Sequence, residues 1–231
     1  MRDFQGKIKA VTFSYDDGVT QDERLIKLFD KYGLKCTFNL NSALLGHDGH
    51  LIREGVRVNH TKIPADRVRS VYEGHEVATH SLTHPFLTRL SDDDVVREVE
   101  EDRIKLSEIV GYDVVGHAYP MGDCDGRVAR LIENRTGVKY ARTVVSTHKY
   151  GEQKDLYLFD PTVHQHKEMD KMFELGEQFL AMKTDKPQLF YIWGHAYELD
   201  IHDTWGRFEE FLEMISGHED VFYGTNKDCL L

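Results

Sequence analysis

The chain has little with which to build a cross-linked scaffold. Its three cysteines, Cys36, Cys124 and Cys229, are scattered and odd in number. They form no CxxC pair, so a disulfide framework and a cysteine-based zinc or redox motif are both excluded. Long apolar runs are missing as well. None approaches the roughly 20 residues that a membrane-crossing helix needs, so no membrane insertion is expected. The first ten residues carry Arg2, Asp3, Lys7 and Lys9 in place of the apolar core of a signal peptide, and the expectation is a cytoplasmic protein. Clustered positive charge is absent too. Forty acidic residues outnumber 29 basic ones, for a formal net charge of −11. Nucleic-acid binding is therefore not expected, because phosphate-backbone binding relies on grouped cations.

What remains is the composition of an ordinary soluble fold, with 40% apolar and 30% charged residues. A chain of 231 residues suits a single domain over 1–231 and is short for two. Along it, β-rich apolar stretches alternate with helical periodicity. Strands are expected at about 7–14, 36–40, 76–79, 113–118, 139–143, 189–193 and 221–223. Helices are expected at about 21–32, from Pro64 to near Tyr72, and then at 92–110, 125–134, 170–182 and 204–216. Ser91 before three aspartates reads as a helix start, and Gly111 as its end. Residues 46–62 read as a long polar loop. Repeated β-α units favour an α/β fold with a parallel sheet, closed or nearly closed into a barrel, ahead of an open doubly wound sheet.

Four polar clusters begin where an expected strand stops: Asp16-Asp17, His80 through His84, Tyr119 through Gly122, and Gly194-His195. In parallel α/β folds the carboxyl ends of the strands carry the active site, so these clusters are expected to converge. His80 and His84 precede Pro85, which disfavours helix at His84 and places the pair on a loop. Two imidazoles suit zinc or a similar first-row metal. Adjacent carboxylates divide usefully into one ligand and one free general base, and two histidines with one aspartate leave room for water and substrate.

The stretch Thr12-Phe13-Ser14-Tyr15-Asp16-Asp17-Gly18 resembles the first motif of the polysaccharide deacetylases, the NodB-homology group of carbohydrate esterases. Gly74 through Pro85, with Thr79-His80-Ser81-Leu82-Thr83-His84-Pro85 at its end, resembles their second motif. The resemblance runs from about Val11 to His195. It implies a distorted (β/α) barrel of fewer than eight units. It implies one divalent metal on Asp17, His80 and His84, zinc first and cobalt or nickel as alternatives. Asp16 would be the base and His195, closing the strand Leu189–Trp193, the acid. The implied reaction is removal of an N- or O-acetyl group from a sugar or oligosaccharide. Hydrolysis of a non-sugar amide on the same fold and a non-catalytic carbohydrate-binding relative are the alternatives. Nothing indicates an oligomeric state.

Two departures from the family pattern stand out. The third motif commonly carries an arginine that braces the catalytic aspartate, and here the stretch is Ala118-Tyr119-Pro120-Met121-Gly122. His117 and Arg142 are the candidates to replace that arginine, and the backbone of Met121 is a candidate oxyanion donor. The fourth motif, with its tryptophan and aspartate, has no counterpart. In its place stand His164 and His166, of which His164 is the stronger pocket candidate. Tyr197, Glu198 and Asp200 can reach the same mouth. Tyr119, Trp193 and Trp205 are candidate sugar-stacking aromatics. Cys124 reads as a bystander.

Overall fold

The structure is a computed structural model that describes residues 4–231. Met1, Arg2 and Asp3, on which part of the leader reading rests, lie outside the described residues. No helix among the described residues is long and apolar enough to cross a membrane.

In chain order the elements are β1 (Lys9–Asp16), α1 (Asp22–Lys31), β2 (Cys36–Leu40), β3 (His50–Arg53), β4 (Val56–Asn59), α2 (Ala65–Val71), β5 (Glu76–Thr79) and α3 (Asp92–Val110). They continue with β6 (Gly116–Ala118), α4 (Gly126–Arg135), β7 (Tyr140–Arg142), β8 (Val163–His164) and α5 (Met169–Ala181). The last are β9 (Gln188–Gly194), α6 (Glu198–Ile201), α7 (Trp205–Ile215), β10 (Val221–Tyr223) and α8 (Asn226–Leu230). The main sheet runs β7-β6-β5-β2-β1-β9-β8, with every neighbouring pair parallel, and β10 adds alongside β1. Its two edges meet. Phe159 pairs with Arg142 of β7, and four residues later β8 pairs with β9. The sheet therefore curls into a distorted barrel of fewer than eight β/α units, as the sequence implies.

The central strands β1, β2 and β5 are buried along their whole length, which is what a parallel sheet covered by helices requires. The period of two sorts their side chains. Val11, Phe13 and Tyr15 of β1 join Phe29 of α1 and Phe208 of α7 in the outer core between sheet and helices. Thr12, Ser14 and Asp16 alternate with them and face the barrel interior, where they bond inward-facing residues of other elements. That interior is polar. Glu76 of β5 accepts from Thr37 Oγ1 at 2.7 Å and from Tyr140 OH at 2.9 Å. The short α8 plugs the lower end. Asn226 accepts from Thr12 Oγ1 at 2.9 Å and donates to Tyr191 OH at 2.6 Å, while its own N–H donates to Thr37 Oγ1 at 2.8 Å.

The helix signals resolve as expected. Ser91 Oγ accepts from Asp94 N–H at 3.2 Å, and Gly111 closes α3 at φ +81°. Residues 46–62 differ from expectation. They contain the antiparallel hairpin β3–β4, turned by Glu54 and Gly55 at φ +51° and +77°. Positive φ at both central residues is a type I′ pattern, whose usual marker is Asn-Gly or Asp-Gly. Glu-Gly does not advertise it, and the hairpin's short apolar pattern is masked by polar neighbours. The two-residue β8 and the five-residue α8 are too short for periodicity to reveal.

Asn226→Ala removes the polar plug and takes one partner each from the buried Thr12 and Tyr191 hydroxyls. The expected cost is about 1–3 kcal/mol of unfolding free energy, measured by urea denaturation. An unchanged midpoint would show that α8 does not tie the barrel together.

Candidate active site

The four polar clusters meet above the carboxyl end of the barrel. A cavity of about 520 Å³ is lined by Asp16, Asp17, His80, His84, Tyr119, Met121, Trp193 and His195, joined by Tyr197 and Glu198. His164 does not line it. That side chain is buried behind Trp193, edge-on to the indole at 4.4 Å.

Asp16 ends β1, and the chain turns at once through Asp17 at φ +84°. The turn separates the adjacent carboxylates. Asp16 points into the barrel, and Asp17 stands at the rim beside the histidines. His80 follows β5 directly. Its Nδ1–H donates to Ala118 O at 2.7 Å, which fixes the tautomer and leaves Nε2 as the free donor atom. Asp102 of α3 holds the same strand end, accepting from His80 N–H at 3.2 Å and from the Thr79 hydroxyl. His84 sits at φ +59° and Ser81 at φ +65° on the loop after β5. Left-handed backbone at several non-glycine positions is local strain of the kind that collects at functional sites.

One ligand atom each from Asp17, His80 and His84 lies within 4.8 Å of the others. Burial pushes the His80 imidazole down to about 4, against Asp16, and it lowers His84 against Asp17. Both rings are thus neutral near pH 7, the state in which imidazole binds a metal. Burial raises the Asp17 carboxyl, but the Lys62 ammonium, the hydrogen bond to His60 and the charge of His195 outweigh it and hold it well below the usual range. Two neutral imidazoles and one carboxylate are a donor set that fits a first-row divalent ion.

Asp16 is braced from β7. Arg142 Nη2 lies 2.6 Å from each Asp16 oxygen, Asn39 Nδ2 donates to Oδ1 at 2.8 Å, and the guanidinium stacks over Trp193 at 4.4 Å. Burial raises the Asp16 carboxyl, but Arg142 and then His80 and His195 bring it below its ordinary value. Arg142 pairs in register with Ala118 on the neighbouring strand. The brace missing from the third motif thus stands one strand over, at the same height. His117 does not serve. It is buried against Tyr119 with ring centroids 5.0 Å apart.

Across the cavity, His195 follows Gly194, whose α-hydrogen is needed because a Cβ there would sit 2.3 Å from Gln165 Cγ. Burial would lower the His195 ring, but Glu198, with Oε1 3.3 Å from Nδ1, pushes it up to about 9. Glu198 Oε2 also accepts from His195 N–H at 3.0 Å. Behind it, His164 Nδ1 accepts from the His166 and Lys167 N–H groups at 3.2 Å, which turns its Nε2 toward Glu198 Oε1 at 3.5 Å. The acid partner of the histidine therefore comes from the turn just after His195.

Two neighbours of Asp17 carried no sequence signal. His60 Nε2 lies 3.1 Å from Oδ2, and Lys62 Nζ lies 3.2 Å from Oδ1 and donates to the Asp17 carbonyl at 2.7 Å. Both sit on the return from the hairpin, in the stretch that reads as loop. Trp205 is buried, donates to Asp200 at 2.8 Å and stacks under Arg24, so it packs and does not wall the cavity. Burial pushes the Cys124 thiol up to about 11, away from reactivity.

Comparison with known proteins adds the following. The family description "Polysaccharide deacetylase" matches residues 4–141. A peptidoglycan-N-acetylmuramic acid deacetylase, PdaC of Bacillus subtilis (strain 168), is 29% identical over 110 residues, 46% of this chain. The chain spans only 23% of that relative's length. A putative polysaccharide deacetylase from Mycobacterium smegmatis superposes with TM-score 0.69 at 18% identity, covering 96% of this chain and 88% of that one. A family 4 carbohydrate esterase from Streptomyces lividans, in complex with acetate, gives TM-score 0.56 at 15% identity, over 94% and 92% of the two chains.

Two outcomes test the electrostatics. Glu198→Gln removes the charge that keeps His195 protonated, so a rate that needs the imidazolium fails at lower pH. The alkaline limb of the pH–kcat/KM profile should move down by about one unit or more. Arg142→Met leaves the buried Asp16 carboxylate without its cation, at about 3–5 kcal/mol of stability near neutral pH. Asp16 has a lowered folded-state pKa, so the pair stabilises above the unfolded value and its contribution is lost as pH falls through the folded one. Denaturation curves of the two proteins should therefore converge on acidification.

Proposed function

Because the chain belongs to the polysaccharide deacetylase family, we propose that it is a metal-dependent hydrolase that removes N- or O-acetyl groups from a sugar or oligosaccharide. The observation that carries the reading is the pairing of two features across one cavity. The donor trio Asp17, His80 and His84 stands beside an ionised Asp16, and His195 faces them with its carboxylate partner.

In this reading Asp17, His80 and His84 hold one divalent cation, zinc first and cobalt or nickel as alternatives. Such an ion, when bound, supplies the Lewis acidity that makes water more acidic and polarises an acetyl carbonyl. Asp16 takes the proton from the attacking water. Arg142 and Asn39 keep that carboxylate ionised and aimed. His195 gives a proton to the departing amine or alcohol, and Glu198 keeps that proton available. The Met121 backbone N–H is the proposed donor to the developing oxyanion. Trp193 and Tyr119 border the cavity at their edges only, being 4% and 1% exposed, and are proposed to shape the pocket rather than to stack on a sugar.

The same constellation suits a non-sugar amide. The family membership favours a carbohydrate. Acetate release from acetylated saccharides, set against a panel of simple amides with metal supplied, decides between them. His80→Ala is expected to lose bound metal, read by elemental analysis, together with turnover. Asp16→Asn is expected to keep the metal and lower kcat by about 10²–10⁴. Near-normal turnover of Asp16→Asn would remove Asp16 as the base.

A further inference from the structure

The hairpin β3–β4 is not a free loop. It leaves the barrel between β2 and α2 and is stitched at its base to the turn after β1. Thr20 N–H donates to Thr61 O at 2.9 Å, and Ile63 N–H donates to Gly18 O at 2.8 Å. Gln21 Nε2 bridges from Asn59 O at 2.8 Å to Asp200 Oδ2 at 2.9 Å. Val58 is buried, and Leu51 and Val56 pack on the core. From that base the hairpin crosses the mouth. At its tip the Glu54 carboxylate meets His166 Nε2 at 3.0 Å, after β8, and His202 Nε2 at 2.8 Å, after α6. The two imidazoles stack with centroids 6.1 Å apart.

The turn chemistry makes this contact specific. Glu54 stands at φ +51° in a turn that ordinarily takes Asn, Asp or Gly. None of these side chains is as long as glutamate. A backbone conformation unfavourable for Glu is occupied by the residue whose carboxylate reaches both histidines. The result is a strap over the site. Leu51, Arg53 and Glu54 of the hairpin line the same cavity as Asp16, His84 and His195. An open-ended groove would let a polymer pass through. Here one side is crossed, and the cavity volume of about 520 Å³ lies within the roughly 300–1,000 Å³ of small-ligand pockets.

We propose that the Glu54–His166–His202 strap makes the site a closed-ended pocket for an acetylated mono- or disaccharide, or for the terminal residue of a glycan, and excludes acetylated residues in a polymer's interior. This rests on the deacetylase reading above. The strap is held at its tip by the hydrogen bonds of one exposed side chain, Glu54, to His166 and His202, and such surface contacts contribute little to stability, so a single side-chain change releases it without unfolding the barrel. Glu54→Gly removes the carboxylate and relieves the left-handed backbone together.

The test uses the full chain with a divalent metal supplied. Acetate release is measured on an acetylated monosaccharide, the matching disaccharide, and a long soluble chain of the same sugar. Mass-spectrometric mapping distinguishes end from interior deacetylation. The wild-type protein should favour mono- and disaccharides and chain ends over interior residues by at least about tenfold in kcat/KM. Glu54→Gly should narrow that ratio severalfold, with deacetylation appearing at interior residues of the long chain. Equal wild-type rates at ends and interior, or an unchanged ratio in Glu54→Gly, overturn the strap and leave deacetylation standing. No acetate from any of the saccharides overturns the strap and the reading beneath it together.

Discussion

Asp16 carries a negative charge at the top of a barrel interior, and the Arg142 guanidinium is the cation set directly against it. A buried carboxylate without a partner becomes neutral, and a neutral Asp16 takes no proton. Much of the site follows from meeting this condition. Arg142 is itself buried, so Trp193 covers its face and the Thr143 carbonyl accepts from its Nη1 at 3.0 Å. Asn39 reaches the same carboxylate from β2. Strands β2 and β9, which supply Asn39 and Trp193, flank β1, whereas β7 with Arg142 stands across the ring from it, so the curling of the sheet is what brings the charges together.

The cavity has two electrostatic sides. On one, burial keeps His80 and His84 neutral beside ionised Asp16 and Asp17. On the other, Glu198 overrides burial and keeps His195 charged. The same residue type thus takes two protonation states within one pocket, decided by which carboxylate faces it and from what distance. That division is what paired acid and base roles require.

Much of this arrangement is legible in the sequence. The parallel α/β architecture is visible because short β-rich stretches alternate with helical periodicity, and because α3 carries a clear cap at each end. Asp16, Asp17, His80, His84 and His195 are legible as a group because each begins where a strand stops. The rest is hidden for physical reasons. Arg142 is legible only as one of two candidates, beside His117, and its register with Ala118 and its contact with Asp16 are what decide between them. Glu198 is legible as a residue near the mouth, but its pairing with His195 from a one-turn helix three residues on has no motif spacing to mark it. His60, Lys62 and the strap depend on a hairpin whose turn lacks the usual Asn-Gly or Asp-Gly signal. His164 shows the opposite error. A histidine where a motif is missing looks like a pocket residue, yet it packs behind Trp193 and faces Glu198 from the rear.

The register between Ala118 and Arg142 also bears on how such sites change over time. In a curled parallel sheet, side chains at one height on adjacent strands can reach the same point inside the barrel. A charge can therefore migrate from one strand to the next while its target stays fixed, and the vacated place is filled by a small residue. Column-by-column comparison of sequences scores this as a loss at one position and an unrelated residue at another. Measured by the point it serves inside the barrel, the cation against Asp16 is present, one strand over from Ala118.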